Sequence, residues 1–427
     1  MTQVATGLPQ DHAAVVLNLS ATGLALARSL GPRGVRVLGF DPRRSEVGQF
    51  SRWVERDRRM ARCGSGPELL ERLCALGREL APKPVLYTAG DPSLEFACTH
   101  HERLREHFLL PESLRPEEAG ALADKRSCYE RCAELGAALP TTFMPDSESE
   151  AQAAARLLRY PAIVKPTRGH RFRARLGGAK LVEVDGPEPL LAWWRRFREW
   201  GGDAVLQEVV PGPETNLFVA GLYVDGGGTC RALFTARKAR QYPPRFGSGC
   251  YLEACWAEEI AALSLELVTG LGYRGLCGTE YKWDPRDEHW KLIEINPRPT
   301  LWFSLPPQAG IDLAWHQHAD LTGHPQPVQI GTQHSGARWQ LLTRDLLASA
   351  HFWRAGELSG LEFLRTAVDP RGKRDAVLSL RDPGTLVGAL LEPLVKYFTH
   401  VRGGGTSRNA DENADGGGRE SATWSTW

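Results

Sequence analysis

The stretch that most restricts the fold of this chain is Trp290-Lys-Leu-Ile-Glu-Ile-Asn-Pro-Arg298, an apolar, strand-like run that carries Glu294 and Asn296 two residues apart. Period-two geometry puts both side chains on one face of a strand. The preceding Gly278-Thr-Glu-Tyr-Lys-Trp283 reads as a second strand, and Asp284-Pro-Arg-Asp-Glu-His289 reads as the turn between them. If Asp284 pairs with Trp290, Glu280 lies opposite Glu294 and Gly278 lies opposite Asn296. Two carboxylates facing each other across a hairpin repel, and a divalent cation between them removes that penalty. Carboxylate and amide oxygens are the hard ligands Mg²⁺ takes, usually alongside phosphate oxygens and water. Arg298 adds a planar cation suited to phosphate or acyl-phosphate oxygens. A one-residue slip in register would separate the two carboxylates. Taken alone, the segment also reads as a plain strand ending in a polar turn.

Bulk properties exclude several classes. Basic and acidic residues number 52 and 51, so net charge does not argue for nucleic acid or a membrane surface. No run of apolar residues is long enough for a transmembrane helix. Met1 to His12 lacks the basic and apolar regions of a signal peptide, which makes a cytoplasmic location the expectation. The nine Cys form no C-x-x-C pair, and reduced thiols are expected. Cys128 and Cys132 stand one helical turn apart, on a buried or half-buried face. His100-His101 and His316-x-His318 lack the companion ligands of a metal site.

The length allows two or three domains. Residues 13–41 read strand, helix, strand, ending in Asp41. The unit resembles half of a nucleotide-binding α/β domain but lacks G-x-G-x-x-G, so it reads as a scaffold. Val85-Leu-Tyr-Thr-Ala-Gly-Asp-Pro92 is a further strand and loop. Asp91 is expected to cap a helix beginning near Ser93. Its alternative role is a ligand-facing position beyond the strand's C-terminal end. Residues 119–158 are expected to be helical, with a start at Ala123 or Asp124 and a break at Gly136. Leu217–Val224 and Cys230–Ala236 form a hairpin around Asp225-Gly-Gly-Gly228. Ala257–Leu271 is a helix. After residue 325 the pattern turns mainly helical, and 402–427 has the composition of a disordered tail.

Four further features carry chemistry. Lys165 ends the strand Tyr160-Pro-Ala-Ile-Val-Lys-Pro166, where it either snorkels or faces an anion. Asp124-Lys125 opens a helix. The loop Thr167-Arg-Gly-His-Arg-Phe-Arg-Ala-Arg-Leu-Gly-Gly178 holds four arginines and three glycines, and Lys180 follows. Glycines let backbone N–H groups approach phosphate, and the cations neutralise it. Gln207-Glu-Val-Val-Pro-Gly212 ends a strand able to present backbone groups to an adenine edge. Glu214, just past it, is placed to take ribose hydroxyls. Arg237 and Lys238 alternate on a strand, so one of them faces the cleft; an exposed basic strand end is the bland alternative. Ser248 lacks the spacing of a nucleophile elbow, and its segment reads as a flexible substrate loop. Leu301, Trp302 and Phe303 read as core. Arg338, Trp339, Asp345 and Trp353 read as part of a helical cover.

In order, these features resemble the ATP-grasp superfamily. The match runs from Lys125 and Lys165 through the glycine-bearing loop and Gln207-Glu208-x-x-Pro211-Gly212 with Glu214, to Glu280 and Glu294-x-Asn296-Pro-Arg298. Thr88-Ala-Gly-Asp91 and Thr235-Ala-Arg-Lys-x-Arg-Gln-Tyr-Pro243 are similar to stretches of an uncharacterised carboxylate–amine ligase-like branch. The resemblance implies an α/β fold with an α+β core and four parts. These are an N-terminal Rossmann-like domain (11–118), an ATP-grasp domain of two lobes hinged near 206–212 (119–325), a mainly helical extension (326–401) and the tail. It implies ATP and Mg²⁺, or Mn²⁺, as cofactors. Lys125, Lys165 and Lys180 would contact phosphates. Gln207, Glu208, Val209 and Val210 would form the adenine strand end, with Glu208 and Val210 offering backbone groups. Glu214 would bind ribose. Glu280, Glu294 and Asn296 would hold the metal. Arg298, Lys180 and Arg237 would act on the reacting groups. The 168–178 loop departs from the compact Gly/Ser-rich pattern, so its arginines grip either phosphate or an anionic substrate.

The implied reaction is a ligation. A substrate carboxylate is phosphorylated to an acyl phosphate, and an amine displaces phosphate, releasing ADP. Positioning and electrostatics suffice, without a side-chain nucleophile. Amino acids or peptides are the expected partners, with no nucleic acid or membrane involved, and a homodimer is the expected assembly. Two alternatives stand beside it: a carboxylase working through carboxyphosphate, and an ATP-binding regulatory protein without turnover.

Overall fold

A computed structural model describes residues 8–56, 66–368 and 373–391. The expected tail at 402–427 lies outside the described residues. No described helix is long and apolar enough to cross a membrane. The eight described cysteines are free thiols.

Three sheets organise the described residues. The first holds β1 (Ala14–Leu17), β2 (Val37–Phe40), β3 (Glu55–Arg56) and β4 (Val85–Thr88), all parallel, in the order β3-β2-β1-β4. β1 and β4 are buried along their whole length, as expected when helices cover both faces of a parallel sheet. Asp41, at the end of the second strand, is buried and accepts the Leu19 N–H at 2.8 Å. That carboxylate therefore shapes the first turn, in line with a scaffold role for this unit.

The second sheet holds β5 (Thr142–Phe143), β6 (Ala162–Pro166), β7 (Val182–Val184) and β8 (Ala204–Glu208), in the order β5-β8-β6-β7. Helices Glu148–Leu157 and Pro187–Glu199 pack on it through Ala154, Leu190, Trp194 and Phe197. Here the expected helical run at 119–158 is corrected. The helix Lys125–Glu134 is capped by the Asp124 side chain and is followed by Gly136 at φ +76°. Between Pro140 and Pro145 the chain is extended instead and adds β5 to the edge of β8. Prolines lack the N–H that a helix interior needs, so the segment cannot continue the helix.

The third sheet has seven strands, in the order β13-β12-β9-β10-β11-β14-β15. These are β9 (Leu217–Val224), β10 (Cys230–Tyr242), β11 (Ser248–Ala254), β12 (Gly275–Asp284), β13 (His289–Asn296), β14 (Arg338–Gln340) and β15 (Lys373–Asp375). The segment after 325 is thus not helical throughout. Helices Leu342–Arg354 and Gly360–Val368 are present, but β14 and β15 extend the sheet, and Trp339 is fully buried as a sheet residue rather than part of a cover. The same segment docks on the first unit. Arg28 donates to Asp382, to the carbonyls of Ala376 and Val377, and to Thr385.

Candidate active site

The β12–β13 hairpin sets the site. Glu280 pairs with Glu294 and Gly278 with Asn296, as the alternation argument requires. Asp284 pairs with His289 instead of Trp290, because the register shifts between Glu280 and Tyr281. A bulge at Ile293 absorbs the extra residue, so the turn end slips while the acidic end stays in register. Tyr129 reads that bulge, donating its hydroxyl to the Ile293 carbonyl at 2.7 Å.

The acidic pair opens onto a cavity of about 2010 Å³ that runs between the three sheets. Glu280, Glu294 and Asn296 line it, with Lys125, Lys165, Lys180, Arg298 and the strand end Gln207, Glu208, Val209 and Val210. Among the described residues, neither the Glu294 carboxylate nor the Asn296 amide has a hydrogen-bond partner. Burial favours the neutral form of Glu294, but Lys180, Lys125 and Arg298 outweigh it and hold the carboxyl below the usual range. Glu280 has a protein partner: Lys238 Nζ, itself buried, lies 2.7 Å from its Oε1.

The lysines approach from separate elements. Lys165 is buried at the end of β6, with Nζ 2.8 Å from the Tyr129 hydroxyl, 2.9 Å from Gln207 Oε1 and 4.9 Å from the Tyr129 ring centre. Burial lowers its pKa to about 8, against the opposing pull of Glu294. Lys125 starts its helix, and its Nζ lies 3.8 Å from the position a Cβ on Gly169 would take. Lys180 Nζ donates to Ser248 Oγ at 2.9 Å, across from the second sheet to β11. It keeps solvent-accessible surface along the cleft, yet desolvation there lowers its pKa. Ser248 thus holds a lysine.

Three expectations are corrected. Arg237 does not line the cavity; it faces away on β10 and pairs with Glu253 at 2.6 Å. Strand alternation sends its neighbour Lys238 into the cleft instead. Glu214 does not line the cavity either. Its carboxylate accepts the main-chain N–H groups of Gln241 (2.9 Å) and Arg245 (2.7 Å), and so secures the 241–245 segment. Asp91 is the first residue of its helix, whose cap position is Gly90, and its Oδ1 meets Arg298 Nε at 2.5 Å.

The arginine-rich loop divides its charges. Arg168 and Arg171 pair with Glu95 of the first unit, and Arg175 stacks on Trp200. Arg173 lines the cavity. At the strand end, the N–H groups of Glu208 and Val209 go to the carbonyls of Thr141 and Pro161. The Glu208 carboxylate holds Thr141 and Arg286, and the Val210 carbonyl accepts from Lys282. Tyr129, Lys282 and Arg286 were not singled out from sequence, whereas Lys238 was one of two candidates to face the cleft. Two of them left a signal: Tyr129 is one helical turn from Lys125, and Lys282 shares a strand face with Glu280.

No three His, Cys, Asp or Glu side chains converge among the described residues. Two carboxylates and an amide match Mg²⁺, which completes its shell with phosphate oxygens and water, better than an all-protein cage. The three lysines and the loop suit a polyphosphate in the same cavity.

No family model matches the chain. It is 24% identical over 54% of its length to D-aspartate ligase of Enterococcus faecium, of which the match takes in 58%. It is 29% identical over 45% of its length to D-alanine--D-alanine ligase of Stutzerimonas stutzeri, of which 60% is matched. The match thus spans less than two thirds of these relatives. Among solved structures it is similar to the biotin carboxylase domain of Hydrogenobacter thermophilus 2-oxoglutarate carboxylase in complex with MgADP, ADP and bicarbonate. The TM-score is 0.59 at 16% identity, over 76% of this chain and 73% of that one. These proteins are ATP-grasp enzymes, and the fold of this chain is the ATP-grasp fold.

Proposed function

We propose that the chain is an ATP-dependent ligase that activates a substrate carboxylate as an acyl phosphate and joins it to an amine, releasing ADP and phosphate. The observation that carries this reading is the pair Glu294 and Asn296. Two oxygen ligands, one of them held ionised, lie without partners among the described residues in a cavity lined by lysines. The names of the relatives, both ligases of amino acids, support amino acids or peptides as the substrates.

ATP would supply the transferable phosphoryl group, and Mg²⁺ or Mn²⁺ would neutralise its developing charge. Glu294, Asn296 and the second oxygen of Glu280 would hold the metal. Lys125, Lys165 and Lys180 would bind phosphate oxygens. The Val210 N–H, which has no backbone partner among the described residues, and the Glu208 carbonyl would meet the adenine edge. Gln207 and Tyr129 fix the Lys165 ammonium in place before any ligand arrives. Asp91 orients Arg298 toward the cavity, where its guanidinium would steady the charge on the group in transit.

Coupled ADP release with Mg²⁺-ATP against a panel of amino acids, dipeptides and simple acids tests the proposal, with Glu294→Ala as the blank. Release that needs both a carboxylate and an amine supports ligation. Release driven by bicarbonate without an amine would replace ligation with carboxylation. ATP binding without release under any pair would leave a nucleotide-binding protein without turnover.

A further inference from the structure

The C-terminal segment reaches the cavity through one charged side chain. Arg344 stands in the first turn of the helix Leu342–Arg354 and lines the cavity. Among the described residues no hydrogen bond or ion pair engages its guanidinium. The adjacent carboxylate does not neutralise it: Asp345 is fully buried on Arg240, at 2.7 and 3.0 Å.

Arg173 of the arginine-rich loop lines the same cavity. Its Nε donates to the Gly178 carbonyl at 3.1 Å, which orients the guanidinium and leaves its remaining N–H groups without a partner among the described residues. The two arginines are close enough for Arg344 to disfavour the charge on Arg173, after desolvation; Asp91 opposes them, but that carboxylate is bound to Arg298. Arg44, in the turn after β2, also lines the cavity without an acidic partner among the described residues. Two guanidinium groups that line one cavity repel, and an anion placed between them relieves the cost. Their planar forks match a carboxylate or phosphate bidentately. Three lysines already serve the end of the cavity near Glu294, so these arginines are surplus to a nucleotide.

We propose that Arg173 and Arg344 form an anion subsite for a second acidic group of the substrate, so that the acid taken by this site is a diacid rather than a monoacid. The inference rests on the ligase reading and narrows its substrate class. It also gives the C-terminal segment a part in specificity.

Calorimetric binding in the presence of Mg²⁺ and a non-hydrolysable ATP analogue tests it, with aspartate, glutamate and succinate set against alanine and butyrate, and with phosphoserine as the phosphate arm. Diacids should bind at least about tenfold more tightly than monoacids. Arg344→Gln and Arg173→Gln should each abolish that preference at an unchanged melting temperature. Arg344→Lys, which keeps the charge without the fork, should retain part of it. Phosphoserine binding more tightly than the diacids, with the same loss in Arg344→Gln, would support the subsite with phosphate as its ligand. Equal binding of monoacids and diacids, no acid binding at all, or a preference that survives both Gln variants would overturn it. Amine-dependent ADP release with a monoacid would then leave the ligase reading standing. Absence of ADP release with every pair would count against that reading instead.

Discussion

Lys238 Nζ sits 2.7 Å from Glu280 Oε1, directly across the hairpin from Glu294, so a buried lysine already balances one of two carboxylates that face each other. The pair offsets part of the repulsion between the two carboxylates at the acidic end of the hairpin. In the proposed ligase a divalent cation would therefore serve the chemistry rather than the fold.

Replacing Lys238 with Met should therefore expose the repulsion. Breaking a buried pair strands its partner charge at a cost of about 3 kcal/mol or more. The Glu280 side chain keeps 19% of its exposure, so a loss of about 2 kcal/mol is expected. Thermal unfolding with and without Mg²⁺ checks it. The variant should recover stability on adding Mg²⁺, more than the parent does. A variant as stable as the parent in chelator would sink this account.

Glu294→Ala should leave the fold intact, because the carboxylate makes no hydrogen bond among the described residues. The metal dependence of nucleotide binding should be lost with it. Titrating a fluorescent ATP analogue with and without Mg²⁺ makes the comparison. An unchanged Mg²⁺ effect would remove Glu294 from the metal site.

Lys165 should make nucleotide affinity depend on pH. Its folded pKa of about 8 lies below the ordinary lysine value because burial opposes the charge. Below about pH 8 the ammonium is present and can meet phosphate. As pH rises through 8 the charge is lost in the free protein, and affinity should fall by up to about tenfold per pH unit. Stability moves the other way. Between about pH 8 and 10.5 the unfolded chain binds more protons at this lysine than the folded one, so this group makes stability rise with pH there. Lys165→Met should weaken ATP and flatten the affinity profile. A profile unchanged by the substitution would assign the titration to another group.

Arg237→Ala should keep turnover within about twofold and cost under about 1 kcal/mol, since it breaks only a surface pair with Glu253. Steady-state kinetics beside a melting curve is sufficient. A large loss of kcat would return Arg237 to the site and contradict its outward face.

Much of the site is legible in local spacing. Glu294 and Asn296 share a face because strands alternate, and Glu280 falls opposite Glu294 in the observed register. Asp124 at a helix start, and the strand–helix–strand opening, follow from capping and periodicity in the same way. Other assignments failed for a common reason. Alternation says that Arg237 and Lys238 point oppositely, but not which side of β10 is the cleft. Glu214 has the right chemistry for a ribose, yet two main-chain N–H groups reach it first.

The amino-acid order by itself determined the acidic face of the hairpin, the lysines at element ends and the turns that separate the sheets, because each depends on neighbours a few residues apart. Tertiary structure alone decided which charges are left free. Arg298 is held by Asp91, 207 positions away, Glu280 by Lys238, and Asp345 by Arg240, while Arg344 is held by no side chain among the described residues. Ion pairs form between whatever groups packing brings within a few ångströms, and that proximity is set by the assembled sheets rather than by separation along the chain.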